Sequence, residues 1–178
     1  MTTAAQVVIL ATTLLFVTVC VMSDLRTRRI PNLLTGPAML SGFALNLGVF
    51  GWSGAQASLA GFALAILILI APFAIGGVGG GDVKMMAAVG AFLGPHLLLL
   101  SLLVGIVLGG VFAVVHLARI ARLREKLIDL RRMFTNALLS ISFEPLRVST
   151  AAPGAVVLPY SLPLGLGTFC VIVSSLVG

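Results

Sequence analysis

Five apolar stretches dominate this chain, roughly 4–22, 33–50, 56–75, 96–118 and 155–177. Each is long enough, or nearly so, to cross about 30 Å of hydrocarbon as a helix rising about 1.5 Å per residue. A sixth stretch, 83–93, would reach only about 17 Å. Gly94-Pro95 is a breaker pair, so 83–93 and 96–118 are expected to form a helical hairpin with a short first arm. The expectation is therefore an all-α membrane protein: six transmembrane helices, the fourth short, in one integral membrane domain spanning 1–178. With 60% of residues hydrophobic, 9% charged and a mean hydropathy of +1.20, a core of this size could not hide such segments from water.

The charges that remain are placed unevenly. Arg26, Arg28 and Arg29 lie between the first two helices and Lys84 opens the fourth. Arg119, Arg122, Arg124, Lys126, Arg131, Arg132 and Arg147 lie between the last two. With the N-terminus outside, every basic residue falls on the cytoplasmic side. The opposite turns, near 51–55 and 94–96, carry no charge, as the positive-inside rule requires. This layout puts both termini outside and accounts for the net charge of +6 without a nucleic-acid partner. Within the cytoplasmic segment 119–154, Leu123, Leu127, Leu130, Phe134, Leu138 and Ile141 recur at spacings of three and four among Arg and Lys. That pattern predicts an amphipathic helix over 119–142, suited to an anionic bilayer surface or to packing on neighbouring helices. The apolar run from Ala4 has no basic residue ahead of it and reads as a retained helix rather than a signal peptide. In the last helix, Pro159 and Pro163 are expected to interrupt the backbone ladder, and the freed groups must then be covered by neighbours or line a wet cavity.

Against this background the carboxylates carry information. There are only five: Asp24, Asp82, Glu125, Asp129 and Glu144. Three fall in the basic stretch, which leaves Asp24 and Asp82 at the ends of apolar segments on one side of the membrane. An ionisable group in such a place costs free energy and usually marks function. Asp24 alone could be a solvated loop acid beside three arginines. Asp82 follows Gly76, Gly77, Gly79, Gly80 and Gly81, and glycines this dense permit the close backbone approach that an extended peptide would need. Asp82 would also serve as a helix cap. A phosphate loop is excluded, because GxxxxGK[ST] is absent and a carboxylate repels phosphate.

Two carboxylates sharing a site cannot both ionise cheaply, so one keeps a proton while the other serves as base. Such a pair could cleave a peptide without metal or nucleophile: the base activates water and the acid polarises the carbonyl. Lys84 could tune the pair or hold substrate, or could simply extend its ammonium to the interface. A transporter relaying protons would instead place its acids near mid-membrane in broken helices, and an assembly subunit would have no use for the pair. His96, His116, Cys20 and Cys170 read as structural, the cysteines as buried thiols. No metal or cofactor is expected, because no histidine has a second ligand at metal spacing and no CxxC pair exists.

With these residues in view, the chain resembles the type IV prepilin peptidases, intramembrane aspartyl proteases of the GxGD class shared in outline with presenilin. The resemblance rests on Asp24 followed by Ile30-Pro31-Asn32, on Gly79-x-Gly81-Asp82-Val83-Lys84, and on the tail Pro159-Tyr160-Ser161-Leu162-Pro163-Leu164-Gly165. It implies a hydrolase of the bacterial inner membrane that removes the basic leader of prepilins at the cytoplasmic face. Asp24 and Asp82 would be the catalytic pair, Gly79 and Gly81 would shape the site, and Lys84 matches a frequent family lysine. Partners would be prepilin or pseudopilin substrates, the lipid bilayer and pilus assembly proteins; preflagellin is an alternative substrate. Larger members carry a cytoplasmic insertion with paired CxxC motifs linked to N-methylation. Here the first loop is short and cysteine-free, which resembles the compact branch serving Flp/Tad-type pili and points away from methyltransferase activity.

Overall fold

The computed structural model describes residues 4–119 and 160–177. They form four α-helices: α1 (Ala4–Thr27), α2 (Asn32–Ala74), α3 (Gly80–Arg119) and α4 (Ser161–Val177). The expectation of six transmembrane helices is corrected accordingly. α1, α2 and the Gly80–Val115 part of α3 are long and apolar enough to cross a membrane, whereas α4 has only 17 residues. The turns expected at 51–55 and 94–96 do not form as separate loops. Instead α2 and α3 each run through a single glycine in the left-handed region, Gly51 (φ 63°) and Gly94 (φ 72°). Only a residue without Cβ takes that backbone cheaply, so one position does the work of a loop. The amphipathic helix expected over 119–142, and nearly all of the segment 119–154, lies outside the described residues.

Side-chain contacts show that both long helices double back at these glycines. Asn46 and Ser58, on either side of Gly51, both donate to the carbonyl of Ala91. A Cβ on Gly90 would lie 3.1 Å from Leu98, on the far side of Gly94. The partners are dictated by the break itself. Pro95 has no N–H to offer the carbonyl four residues earlier, which is that of Ala91, and the non-helical Gly94 disrupts the bond expected at Phe92. Buried in an apolar medium, such carbonyls need substitutes. Asn46 Nδ2 sits 3.1 Å from the Ala91 oxygen and 2.9 Å from that of Phe92, and Ser58 Oγ caps Ala91 as well.

The first arm of α3, ahead of Gly94, is the centre of the molecule. Met85, Met86, Ala87, Ala88, Val89, Ala91 and Phe92 are all buried, and burial all round is what an apolar helix without a polar face requires. Small residues let the neighbours close on it. A Cβ on Gly42 would come within 3.0 Å of the Phe92 backbone, and one on Gly61 would collide with the carbonyl of Gly90. Phe16 of α1 packs on Phe92 with ring centroids 6.3 Å apart. α4 is fixed by glycines on two sides: Gly165 against Val17 and Val21 of α1, Gly167 against Ser101 and Gly105 of α3.

Polar side chains within the apolar helices look after themselves. The hydroxyls of Thr12, Thr13, Thr18 and Thr168 each donate to the carbonyl four residues back. Pro163 does not interrupt α4, contrary to the sequence expectation. It lies in the first turn, where the backbone N–H would have no intrahelical partner in any case. Cys20 is buried as expected, but Cys170 is exposed.

Because Asn46 is the side-chain donor to Phe92 and shares the Ala91 carbonyl with Ser58, Asn46→Leu should destabilise the fold more than Ser58→Ala. Each stranded carbonyl costs about 1–3 kcal/mol. Reversible unfolding in mixed micelles measures the difference, and equal losses would show that the helix break does not depend on Asn46.

Candidate active site

The C-terminal end of α1 and the first turns of α2, α3 and α4 meet at one end of the bundle. α1 stops because Arg28 takes a left-handed conformation (φ 52°) and its N–H closes on the Asp24 carbonyl at 2.7 Å, the single-bond left-handed cap. A non-glycine residue in that region is strained, and the turn is held by two hydroxyls. Ser23 Oγ and Thr27 Oγ1 both donate to the carbonyl of Arg29, at 3.0 and 3.1 Å. Ile30 then turns inward and is buried. Pro31, extended at φ −64° and ψ 141°, stands just ahead of α2, and its carbonyl accepts from Leu34 at 3.0 Å.

Ile30 is the plug between this turn and the glycine-rich run. A Cβ on Gly81 would lie 3.3 Å from Ile30 Cβ, so glycine there lets the opening turn of α3 seat directly on the isoleucine. One residue later comes Asp82, 8% exposed, with its N–H donating to the Gly79 carbonyl at 3.0 Å. A Cβ on Gly79 would stand 3.2 Å from Asp82 Oδ2, so glycine keeps that side of the carboxylate open. Gly79 itself is exposed and Gly76 takes φ 77°, which a side chain would resist.

Asp24 is half-buried on α1, six residues before the Ile30 that packs against Gly81 beside Asp82. The two carboxylates singled out in the sequence, 58 positions apart, thus lie at the same end of the bundle. Lys84 is exposed but engaged: its ammonium donates to Asn32 Oδ1 at 2.8 Å. The bond ties the Ile30-Pro31-Asn32 motif to the Gly79–Lys84 motif, so Lys84 is more than a cation reaching for the interface.

One member of the site escaped sequence reasoning. Ser161, fully buried in the first turn of α4, donates from Oγ to Asp24 Oδ2 at 2.5 Å. It follows Tyr160 in the tail motif, but nothing local signals a partner 137 residues away. His96 is exposed and outside this cluster. No group of three or more potential metal ligands occurs among the described residues.

The arrangement offers two carboxylates at one end of the bundle, one sequestered and one half-open to solvent, beside an exposed glycine backbone. That combination can hold water against an extended chain and exchange protons with it. Asn32→Ala and Lys84→Met lose the same hydrogen bond, so their effects on unfolding should be non-additive by about 0.5–1.5 kcal/mol. Additive losses in a double-mutant cycle would mean that the contact contributes nothing.

Comparison with known proteins places this geometry. No curated protein and no solved structure matches the chain. The profile of the type IV leader peptidase family matches residues 11–114, a stretch that holds both carboxylates, the Ile30-Pro31-Asn32 turn and the glycine-rich run. That match covers more than half of the sequence, and the chain is an integral membrane peptidase belonging to the type IV leader peptidase family.

Proposed function

We propose that the protein is an aspartyl endopeptidase that removes the N-terminal leader of type IV prepilins, of the Flp/Tad type, at the cytoplasmic face of the bacterial inner membrane. The observation that carries this reading is that Asp24 and Asp82, from different helices, lie at one end of the bundle, where the end of α1 meets the first turns of α2, α3 and α4. Their setting supports it further: an exposed Gly79 beside Asp82 gives room for an extended peptide. Arg26, Arg28, Arg29 and Lys84 flank the site, and the preference of basic residues for the cytoplasmic side supports a working end at that surface.

The chemistry needs only this pair and water. The ionised carboxylate takes a proton from water as its oxygen attacks the scissile carbonyl carbon. The protonated partner gives its proton to the carbonyl oxygen, leaving a neutral gem-diol. Proton transfer to the amide nitrogen and collapse of the diol then break the C–N bond, releasing a carboxyl and an amine, and the pair again holds one proton. The proton belongs to the pair throughout. Gly79 and Gly81 act by what they lack, one leaving Asp82 uncovered and the other seating its helix on Ile30. Lys84 holds the two motifs together through Asn32.

Reconstituted in lipid with a Flp-type prepilin, the wild-type chain should release the leader. Asp24→Asn and Asp82→Asn should each lower the rate by about 100- to 10,000-fold while remaining folded. Cleavage that persists in either folded variant would remove the pair from the mechanism. Failure of all three proteins on Flp-type prepilin, with cleavage of a pseudopilin or preflagellin by wild type alone, would reassign the substrate and keep the pair.

A further inference from the structure

We propose that Ser161 is a positioning residue for the reaction, holding the Asp24 carboxylate by Oδ2 so that Oδ1 is left to act on water beside Asp82. This rests on the reading of Asp24 and Asp82 as the catalytic pair and goes beyond it by adding a third helix to the machinery.

Asp24 stands near the end of α1, one turn before the left-handed Arg28, where a side chain on a helix terminus has several rotamers open to it. Working geometry tolerates little of that freedom, since a catalytic group displaced by about 1 Å can cost on the order of 100-fold in rate. The Ser161 hydroxyl supplies the constraint. It is fully buried, so no water competes for Oγ, and its hydrogen points at one named carboxylate oxygen.

The hydroxyl is itself held. Ser161 is the first residue of α4, and the helix is clamped by close approaches that leave it little play. A Cβ on Gly165 would lie 2.6 Å from Val21 Cγ2, and one on Gly167 would lie 2.6 Å from the Ser101 carbonyl. Leu164, just ahead of those glycines, packs its Cα 3.0 Å from where a Cβ on Gly105 would stand. The glycines fix α4 on α1 and α3, and its first residue reaches the carboxylate. A serine whose role was to cap its own helix would point to the backbone of its first turn. This one points across to α1.

The test uses two isosteric pairs at position 161, in the full chain in lipid vesicles with the same prepilin. Ser161→Ala removes the hydroxyl from the native shape. Ser161→Thr and Ser161→Val share an added methyl group and differ only in the hydroxyl. The expected result is that Ser161→Ala lowers kcat by about 10- to 100-fold with KM within twofold of wild type. Threonine should exceed valine in kcat by a similar factor. Ser161→Ala with wild-type kcat, or valine equal to threonine, overturns the proposal. Should the methyl group unfold both larger variants, the serine–alanine pair decides alone. A kcat loss that vanishes once activity is divided by the folded fraction, read from thermal unfolding, also overturns it. Failure of the pair itself looks different: Asp24→Asn or Asp82→Asn would then keep activity, whatever happens at 161.

Discussion

Much of this structure depends on how a broken helix is made tolerable in an apolar medium. Gly94-Pro95 ends the first arm of α3 and strands the carbonyls of Ala91 and Phe92, which water cannot reach. Asn46 and Ser58 provide the missing donors, and they stand on opposite sides of the Gly51 bend in α2. One repair therefore fixes two helices: both arms of α2 are drawn onto the same turn of α3. Glycines at 42, 61 and 90 then allow the backbones to close. An unpaired backbone carbonyl costs more than a typical hydrogen bond contributes, so the geometry is selected by what it avoids.

From that anchored turn the chain runs back along the buried arm of α3 to Asp82. An arm apolar on every face can carry a carboxylate only at its end, and Asp82 occupies the first turn, where the glycine-rich run meets Ile30. The same logic applies to Asp24, at the last turn of α1. Each carboxylate is as deep as its helix allows while remaining next to a turn, and the Lys84–Asn32 bond joins the two turns across the site. Packing thus sets the distance between the acids, and the connections set their access.

What the sequence disclosed and what it withheld divide along one physical line. Asp24 and Asp82 stood out because a charge amid apolar residues is conspicuous at its own position, and Gly94-Pro95 because a breaker is a local fact. Gly51 was expected inside a turn at 51–55, but nothing local said that one glycine would suffice, and two continuous helices that double back took the place of four. Pro163 looked disruptive because sequence alone extended its helix back to 155; the helix begins at Ser161 and the proline becomes harmless. The pairing of Lys84 with Asn32, and of Ser161 with Asp24, spans 52 and 137 residues. A hydroxyl or an amide has no periodicity by which one sequence could reveal its partner.

On the proposed reading, the asymmetry of the two carboxylates decides how water and peptide meet. Asp82 is 8% exposed and flanked by a glycine whose missing side chain leaves Oδ2 uncovered, so the peptide backbone approaches from the side of Gly79. Asp24 is half-buried and lies just ahead of the turn with the exposed Arg26, Arg28 and Arg29, so on this reading water enters from that end. A hydrolase embedded in lipid must admit water without letting it flood the helices behind. Placing one acid at the wet end of α1 and the other at the mouth of the driest helix meets both demands. It also explains why the third helix matters: with Asp24 half-open to solvent, a buried contact such as that of Ser161 can hold its carboxylate still.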